Sequence, residues 1–214
     1  MHRWATDMTS SYDLPMFPLE SPIVPGQPIP LHLFEPRYRV LGRHLAQLDE
    51  PEFGIVGIAR GREVGGDDVR SDVGVVARVV RSEEQPDGRW AVLATGTRRI
   101  RIDRWLDDDP YPKALVSDWP DPLDPGLDKH VVALRTVVDA LIAMVASHRP
   151  DLELAVPELS DDPGQAIWQL IAFAGLGPLD LLQLLSLPDG ATRATRAAEL
   201  IDEHRQTLDA LGLD

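Results

Sequence analysis

Cysteine is absent from the 214 residues, so disulfides, thiolate metal sites, iron–sulfur clusters and a cysteine nucleophile are all excluded. Lysine is almost as scarce: Lys113 and Lys129 stand against 19 arginines. Neither lysine follows a glycine, so the phosphate-cradling pattern G-x-x-x-x-G-K-[ST] does not occur. The G-x-S-x-G elbow is missing as well. A Ser–Lys dyad would need one of the two lysines buried beside a serine. Lys113 sits in a strand-like segment between Pro112 and Ala114, and Lys129 starts a helical pattern, so neither is placed for it. No two histidines are spaced i, i+4, and Asp67-Asp68 and Asp107-Asp108-Asp109 are contiguous, so on extended chain their carboxylates diverge. No catalytic residue, metal or cofactor is expected.

Long apolar runs are also lacking. The most apolar stretch reads as residues 167–187, which is broken by Gly175, Gly177, Pro178 and Asp180 and falls short of a span of about 20 residues. Residues 1–12 are polar and read as a flexible terminus without a signal-peptide core. A cytoplasmic protein away from membranes is the expectation.

The net charge is −14, which argues against a general nucleic-acid binder. It is unevenly spread: residues 1–35 carry net −3, residues 36–105 net +2, and residues 106–214 net −13. Prolines cluster at 15–36 and again at 110–125, where charge and hydrophobic period both change. Two structural units follow, residues 13–122 and residues 123–214.

The first unit reads as β. Residues 53–59 (FGIVGIA), 73–80 (VGVVARVV) and 90–95 (WAVLAT) are short apolar runs, and residues 100–106 alternate with period two. Pro86-Asp87-Gly88 is a hairpin connector, Gly96 marks a turn or bulge, and residues 111–119 form a further strand. The glycine-rich segment from Gly61 to Asp67 reads as a loop between strands. One helix interrupts them, with Pro36 in its first turn and Tyr38, Leu41, Leu45 and Leu48 on one face. The second unit reads as helices. Val131, Leu134, Val138, Leu141 and Val145 recur at three and four; Asp162-Pro163 caps a second helix that stops at Gly175; a short apolar helix covers 179–187; a last one covers 192–211. The fold class is α+β: an antiparallel sheet or small barrel with one inserted helix, then a helical bundle.

The most informative segment is Leu14-Pro15-Met16-Phe17-Pro18-Leu19, then Val24-Pro25-Gly26, then Pro30-Leu31-His32-Leu33-Phe34-Glu35-Pro36-Arg37-Tyr38-Arg39. It reads as an edge strand, a tight turn at Pro25-Gly26, a second extended stretch, and a helix start with Glu35 at the positive end of the dipole. Together with Phe53-Gly54-Ile55-Val56, Gly65-Gly66, Pro86-Asp87-Gly88-Arg89, Ala94-Thr95-Gly96, Arg99-Ile100-Arg101-Ile102 and Pro110-Tyr111, it resembles the N-terminal domain of the Lon protease family, in particular its small stand-alone bacterial members. The resemblance covers roughly residues 12–210. It implies a PUA-like β-barrel followed by a helical bundle and a role in recognising proteins or unfolded segments. It marks Pro18, Pro25, Gly26, Glu35, Pro36, Arg37, Tyr38 and Arg39 as a structural motif. The family's ATPase and Ser–Lys protease modules have no counterpart in these residues, so ATP-dependent proteolysis does not carry over.

Three functions compete. The leading one is a non-catalytic module that binds unfolded or extended polypeptide, working with a protease or chaperone component, through apolar ground between the two units and through edge strands. Phe34, Tyr38 and Trp105 are its candidate contacts; Trp90 and Trp119 read as packing. The second is RNA binding through Arg98, Arg99, Arg101 and Arg104 beside Trp105, opposed by the acidic balance. The third is an enzyme built on His32 and Glu35. The oligomeric state is open.

Overall fold

The first strand of the computed structural model, β1 (Tyr12–Leu19), starts within the segment expected to be flexible. The structure describes residues 10–60, 69–149, 151–152, 154–156 and 158–211; residues 1–9 and the loop from Gly61 through Gly65-Gly66 to Asp67 lie outside that set. After β1 come β2 (Pro28–Leu33), α1 (Pro36–Leu45), β3 (Glu52–Arg60), β4 (Val69–Glu84), β5 (Trp90–Trp105) and β6 (Lys113–Asp118). Four helices follow: α2 (Asp128–His148), α3 (Pro163–Phe173), α4 (Pro178–Leu185) and α5 (Gly190–Leu211).

The strands form one sheet in the order β2-β5-β4-β3-β1-β6, and β5 also pairs with β6. The pairings therefore return from β5 through β4, β3, β1 and β6 to β5. The sheet is mixed rather than antiparallel, because β1 and β3 run parallel, Met16 beside Gly54 and Leu19 beside Gly57. β2 and α1 lie between them in sequence, and such a crossover is what lets two strands run the same way. β1 is not an edge strand. Its first half bonds antiparallel to β6, Tyr12 opposite Val116, and its second half bonds to β3. Each half is paired in register on one side, which leaves room for Pro15 and Pro18.

The two segments read as separate strands at 90–95 and 100–106 are one strand, β5. Its register against β4 shifts between Val76 and Ala77, whose partners are Arg98 and Gly96. A Cβ at Gly96 would stand 2.6 Å from the Val24 carbonyl oxygen, so only glycine lets the 24–27 turn dock there. That turn closes as the Pro25-Gly26 pair requires: Gly26 has φ +83°, and the Gln27 N–H donates to the Val24 carbonyl at 3.1 Å.

The Glu35-to-Arg39 motif anchors α1. The Glu35 side chain makes no cap hydrogen bond and instead pairs with Arg37 at 3.2 Å. Arg39 reaches the β4–β5 hairpin, donating to the Gly88 carbonyl at 2.7 Å and the Asp87 carbonyl at 2.9 Å. Tyr38, Leu41 and Leu45 are buried as the period predicts, whereas Leu48 lies past the helix end, 42% exposed.

Caps and stops of the later helices follow the sequence. Asp162 accepts from Gly164 N–H at 2.8 Å and Gln165 N–H at 3.2 Å, and Gly175 ends α3 with φ +68°. α2 departs from expectation. It is long and apolar enough to cross a membrane by length and composition, with mean hydropathy 1.6 and 17% of that window buried. Leu134, Val138 and Leu141 face inward, while Val132, Ala133, Ala140 and Ala143 lie on the exposed face with Thr136 and Asp139. One apolar cluster joins strands to helices, from Phe17, Tyr38 and Phe53 to Leu134, Ile167 and Ile201. A smaller one, including Met16, Val56, Val76 and Ile100, lies among the ring strands.

α1 meets the sheet at Gly42, where a Cβ would come within 2.6 Å of the buried Trp90 ring. Gly42→Ala is expected to lower unfolding free energy by about 1–3 kcal/mol through overpacking, although alanine is the better helix former. Urea unfolding followed by tryptophan fluorescence measures it; a gain in stability would show that the contact is not tight.

Candidate functional site

Where sheet and helices meet, two arginines share one carboxylate. Arg99 of β5 is 4% exposed and Arg193 of α5 is fully buried. Arg99 Nη2 donates to Asp121 Oδ1 at 2.7 Å, and Arg193 Nη1 and Nη2 donate to Asp121 Oδ2 and Oδ1 at 2.5 and 2.8 Å. The remaining donors of Arg99 reach the carbonyls of Trp119, Leu185 and Leu187, and Arg193 Nε reaches that of Leu184. Both guanidinia also lie over indoles, Arg99 3.8 Å from the Trp119 ring centre and Arg193 4.1 Å from that of Trp168. Burial and the neighbouring Arg193 pull the Arg99 guanidinium down to about 10 against the attraction of Asp121, and it stays protonated at neutral pH.

A groove opens over this junction. Its larger part, about 520 Å³, runs between the Pro25 turn and Thr97 of β5, the connection from Trp119 to Leu127, and the start of α3. A smaller recess of about 270 Å³ continues from it, sharing Pro25, Thr97, Gln165 and Trp168 and adding Gly26 and Gln169. The walls combine proline, tryptophan and leucine with Arg98, Arg99 and the carboxylates of Asp121, Asp124 and Asp162. Leu123 stands on the rim with its side chain wholly exposed, at 102%.

The predicted contacts are not brought together. Phe34 is 53% exposed and follows β2, whose last residue pairs with the first of β5. Trp105 is half-buried at the other end of β5 with the Arg70 guanidinium 4.5 Å above its ring. Tyr38 lies in the core, 2% exposed, 4.3 Å from Phe17 between ring centres. None of the three lines the groove. The groove's lining includes Pro25, Arg98 and Arg99, which the sequence marks as a turn residue and as an arginine face, and Leu123, Gln165 and Trp168, to which it assigns no role. The legible signal was Leu123, an apolar side chain inside a proline-rich connection with no helix or strand to bury it.

The arginines read as an RNA face are largely spoken for. Arg99 points into the junction and not toward solvent. Arg98 pairs with Glu52 at 2.8 Å and Asp118 at 3.0 Å and donates to Tyr12 Oη at 3.1 Å. Its guanidinium is held above the ordinary range: burial works against that, and the bonds to Glu52 and Tyr12 outweigh it. In the same cluster burial, then the bond to Asp118, push the Tyr12 phenol up to about 12. Arg101 lies over Trp119 at 3.7 Å, and both it and Arg104 are exposed. His32 is exposed on β2, beside a recess that Glu35 does not line. Among the described residues, no group of three or more His, Asp or Glu is arranged to hold a metal.

A six-stranded mixed sheet followed by four helices, with its main groove at their junction, defines an α+β binding domain. Residues 13–203 match the family model of the ATP-dependent protease La (LON) substrate-binding domain, and the chain belongs to that family. The Lon protease of Trichlorobacter lovleyi is 24% identical over 206 residues, 91% of this chain and 24% of that protein. That of Cytophaga hutchinsonii is 28% identical over 147 residues, 64% and 17%. The chain thus spans about a quarter or less of these relatives. A solved Lon N-terminal domain protein from Xanthomonas campestris superimposes with TM-score 0.62 at 25% identity, covering 86% of this chain and 96% of that one. The N-terminal domain of the Mycobacterium avium complex Lon protease shares the fold, with TM-score 0.63 at 16% identity over 90% of this chain and 100% of its own.

Removing Asp121 leaves two buried guanidinia uncompensated. Asp121→Ala is expected to cost about 3–5 kcal/mol, whereas Asp139→Ala, which breaks the exposed pair with Arg135, costs at most about 0.5 kcal/mol. Chemical denaturation of both variants measures the difference; equal effects would show that the junction is not held by charge.

Proposed function

We propose that the chain binds extended segments of unfolded polypeptide in the groove between β5, the 119–127 connection and α3, and performs no covalent chemistry of its own. The observation that carries this is the groove's make-up. The recess is walled by Pro25, Trp119, Pro120, Pro122 and Trp168, with Asp121, Asp124 and Asp162 among them and a fully exposed leucine at its rim. Apolar walls accept varied side chains, and the polar edge at Thr97 and Gln165 offers hydrogen bonds to a backbone. Membership of a substrate-binding family supports the same reading. On it, a protease or chaperone component is the natural partner for the delivered polypeptide. We further propose that the strand ring is a PUA-like barrel and the helices a bundle, divided near residue 122; the β5–β6 pairing supports the first part.

Leu123→Asp tests the groove without disturbing the fold, since the side chain it replaces is wholly exposed. Fluorescence anisotropy with a labelled unfolded polypeptide is expected to show about tenfold weaker binding for this variant. Val132→Asp, on the exposed face of α2, is expected to bind as the parent does. Equal binding by all three proteins would move the site elsewhere.

A further inference from the structure

Around the β4–β5 hairpin the sheet leaves two stretches of strand edge free among the described residues, and they differ chemically. The outer edge of β2 carries Pro28 and Pro30, so two of its donors are missing. The other free edge is the end of β4. β3 pairs with β4 no further than Glu52 opposite Arg78, and the Val79 N–H donates to the Pro51 carbonyl at 2.9 Å. Beyond that point β4 is paired only with β5, Arg81 opposite Leu93 and Glu84 opposite Trp90. Residues 80–84 are exposed without interruption, Val80 to 63%. A strand covered on one face would alternate. This one stands clear on both faces.

The hairpin sets which groups the edge offers. Gln85 N–H donates to the Arg89 carbonyl at 2.7 Å, so the ladder bonds of β4 to β5 fall on Glu83 and Arg81. The N–H and C=O groups of Ser82 and Glu84 therefore point outward. The side chains along this edge read Val80-Arg81-Ser82-Glu83-Glu84. Two such strands related by a twofold axis at Ser82 place Arg81 of each opposite Glu83 of the other. A parallel copy in register would place like charges opposite, which is destabilising. The Arg81–Glu83 pair within one strand, at 3.5 Å and with side chains 78% and 61% exposed, is weak enough to exchange for these.

We infer that the end of β4 pairs antiparallel with the same segment of a second copy of this chain, centred on Ser82. The interface is isologous and small, so the dimer is of the weak class and is populated only at high protein concentration.

The absence of cysteine makes the test clean, because Ser82→Cys introduces the only thiol. In a hydrogen-bonded antiparallel pair the two Cα atoms lie about 5.5 Å apart, within disulfide range. Under mild oxidation S82C is expected to form dimers at least about tenfold faster than S147C, an exposed reference on α2, because pairing raises the local thiol concentration. R81E or E83R in the S82C background is expected to drop to the reference rate, and the R81E/E83R double reversal to restore it. Sedimentation of the parent at roughly half-millimolar concentration is expected to show the dimer. An S82C rate equal to that of S147C overturns the proposal, as does a rate indifferent to single charge reversal. Trapping an added single-cysteine unfolded polypeptide as fast as a second copy overturns it too, by showing that the edge accepts any extended chain.

Discussion

Burying an arginine is tolerable only when every donor finds an acceptor, and the architecture of this domain follows from doing it twice at one place. Arg99 comes from the middle of β5, Arg193 from the first turn of α5, and the carboxylate between them from the connection that joins strands to helices. The remaining acceptors are the Trp119 carbonyl and carbonyls around the end of α4. Four separate pieces of chain must therefore be in position before the charges are satisfied. Attraction inside a poorly solvated junction does not guarantee a net gain over apolar packing, but an incomplete set is costly. With a total stability of the order of 5–15 kcal/mol to draw on, the protein cannot hold its helices in some other arrangement and leave this set half made. The junction specifies how sheet and helices dock.

The groove is a by-product of that docking. Side chains long enough to span the junction hold the two layers apart at its mouth. The gap is floored by the same indoles on which the guanidinia rest, Trp119 and Trp168. On the proposed function, the groove and the structural joint share residues. The exposed parts, Leu123 and Gln165, are the ones whose exchange leaves the joint alone.

Much of this was legible beforehand. Turns and caps were the clearest, because Pro25-Gly26, Pro86-Asp87-Gly88, Asp162-Pro163 and Gly175 each have one dominant local geometry. The strands of the 53–119 region were visible as β-branched runs, although a bulge at Gly96 split β5 into two on paper. Harder to read was anything set by partners distant in sequence. Nothing in Leu14 to Leu19 says that the strand changes neighbour halfway along, so two prolines read as an edge. Arg99 and Arg101 share a strand parity, and parity alone does not reveal that an acceptor 22 residues later draws the first of them inside. Phe34, Tyr38 and Trp105 were chosen by residue type, and three-dimensional position scattered them.

The parallel pairing of β1 with β3 and the closure of the ring by β6 also bear on how the chain is made. When β3 has been synthesised, the second half of β1 has a partner, but its first half must wait for residues 113–118. Arg99, already laid into β5, still lacks the Leu185 and Leu187 carbonyls around the end of α4, which come 86 and 88 residues later. A ribosome thus releases the whole sheet, and Asp121 just after it, before two of the carbonyls that its inner arginine uses. The growing chain has reason to remain loosely ordered until the last helix arrives. Docking of α5, which brings Arg193 to Asp121, then completes the junction.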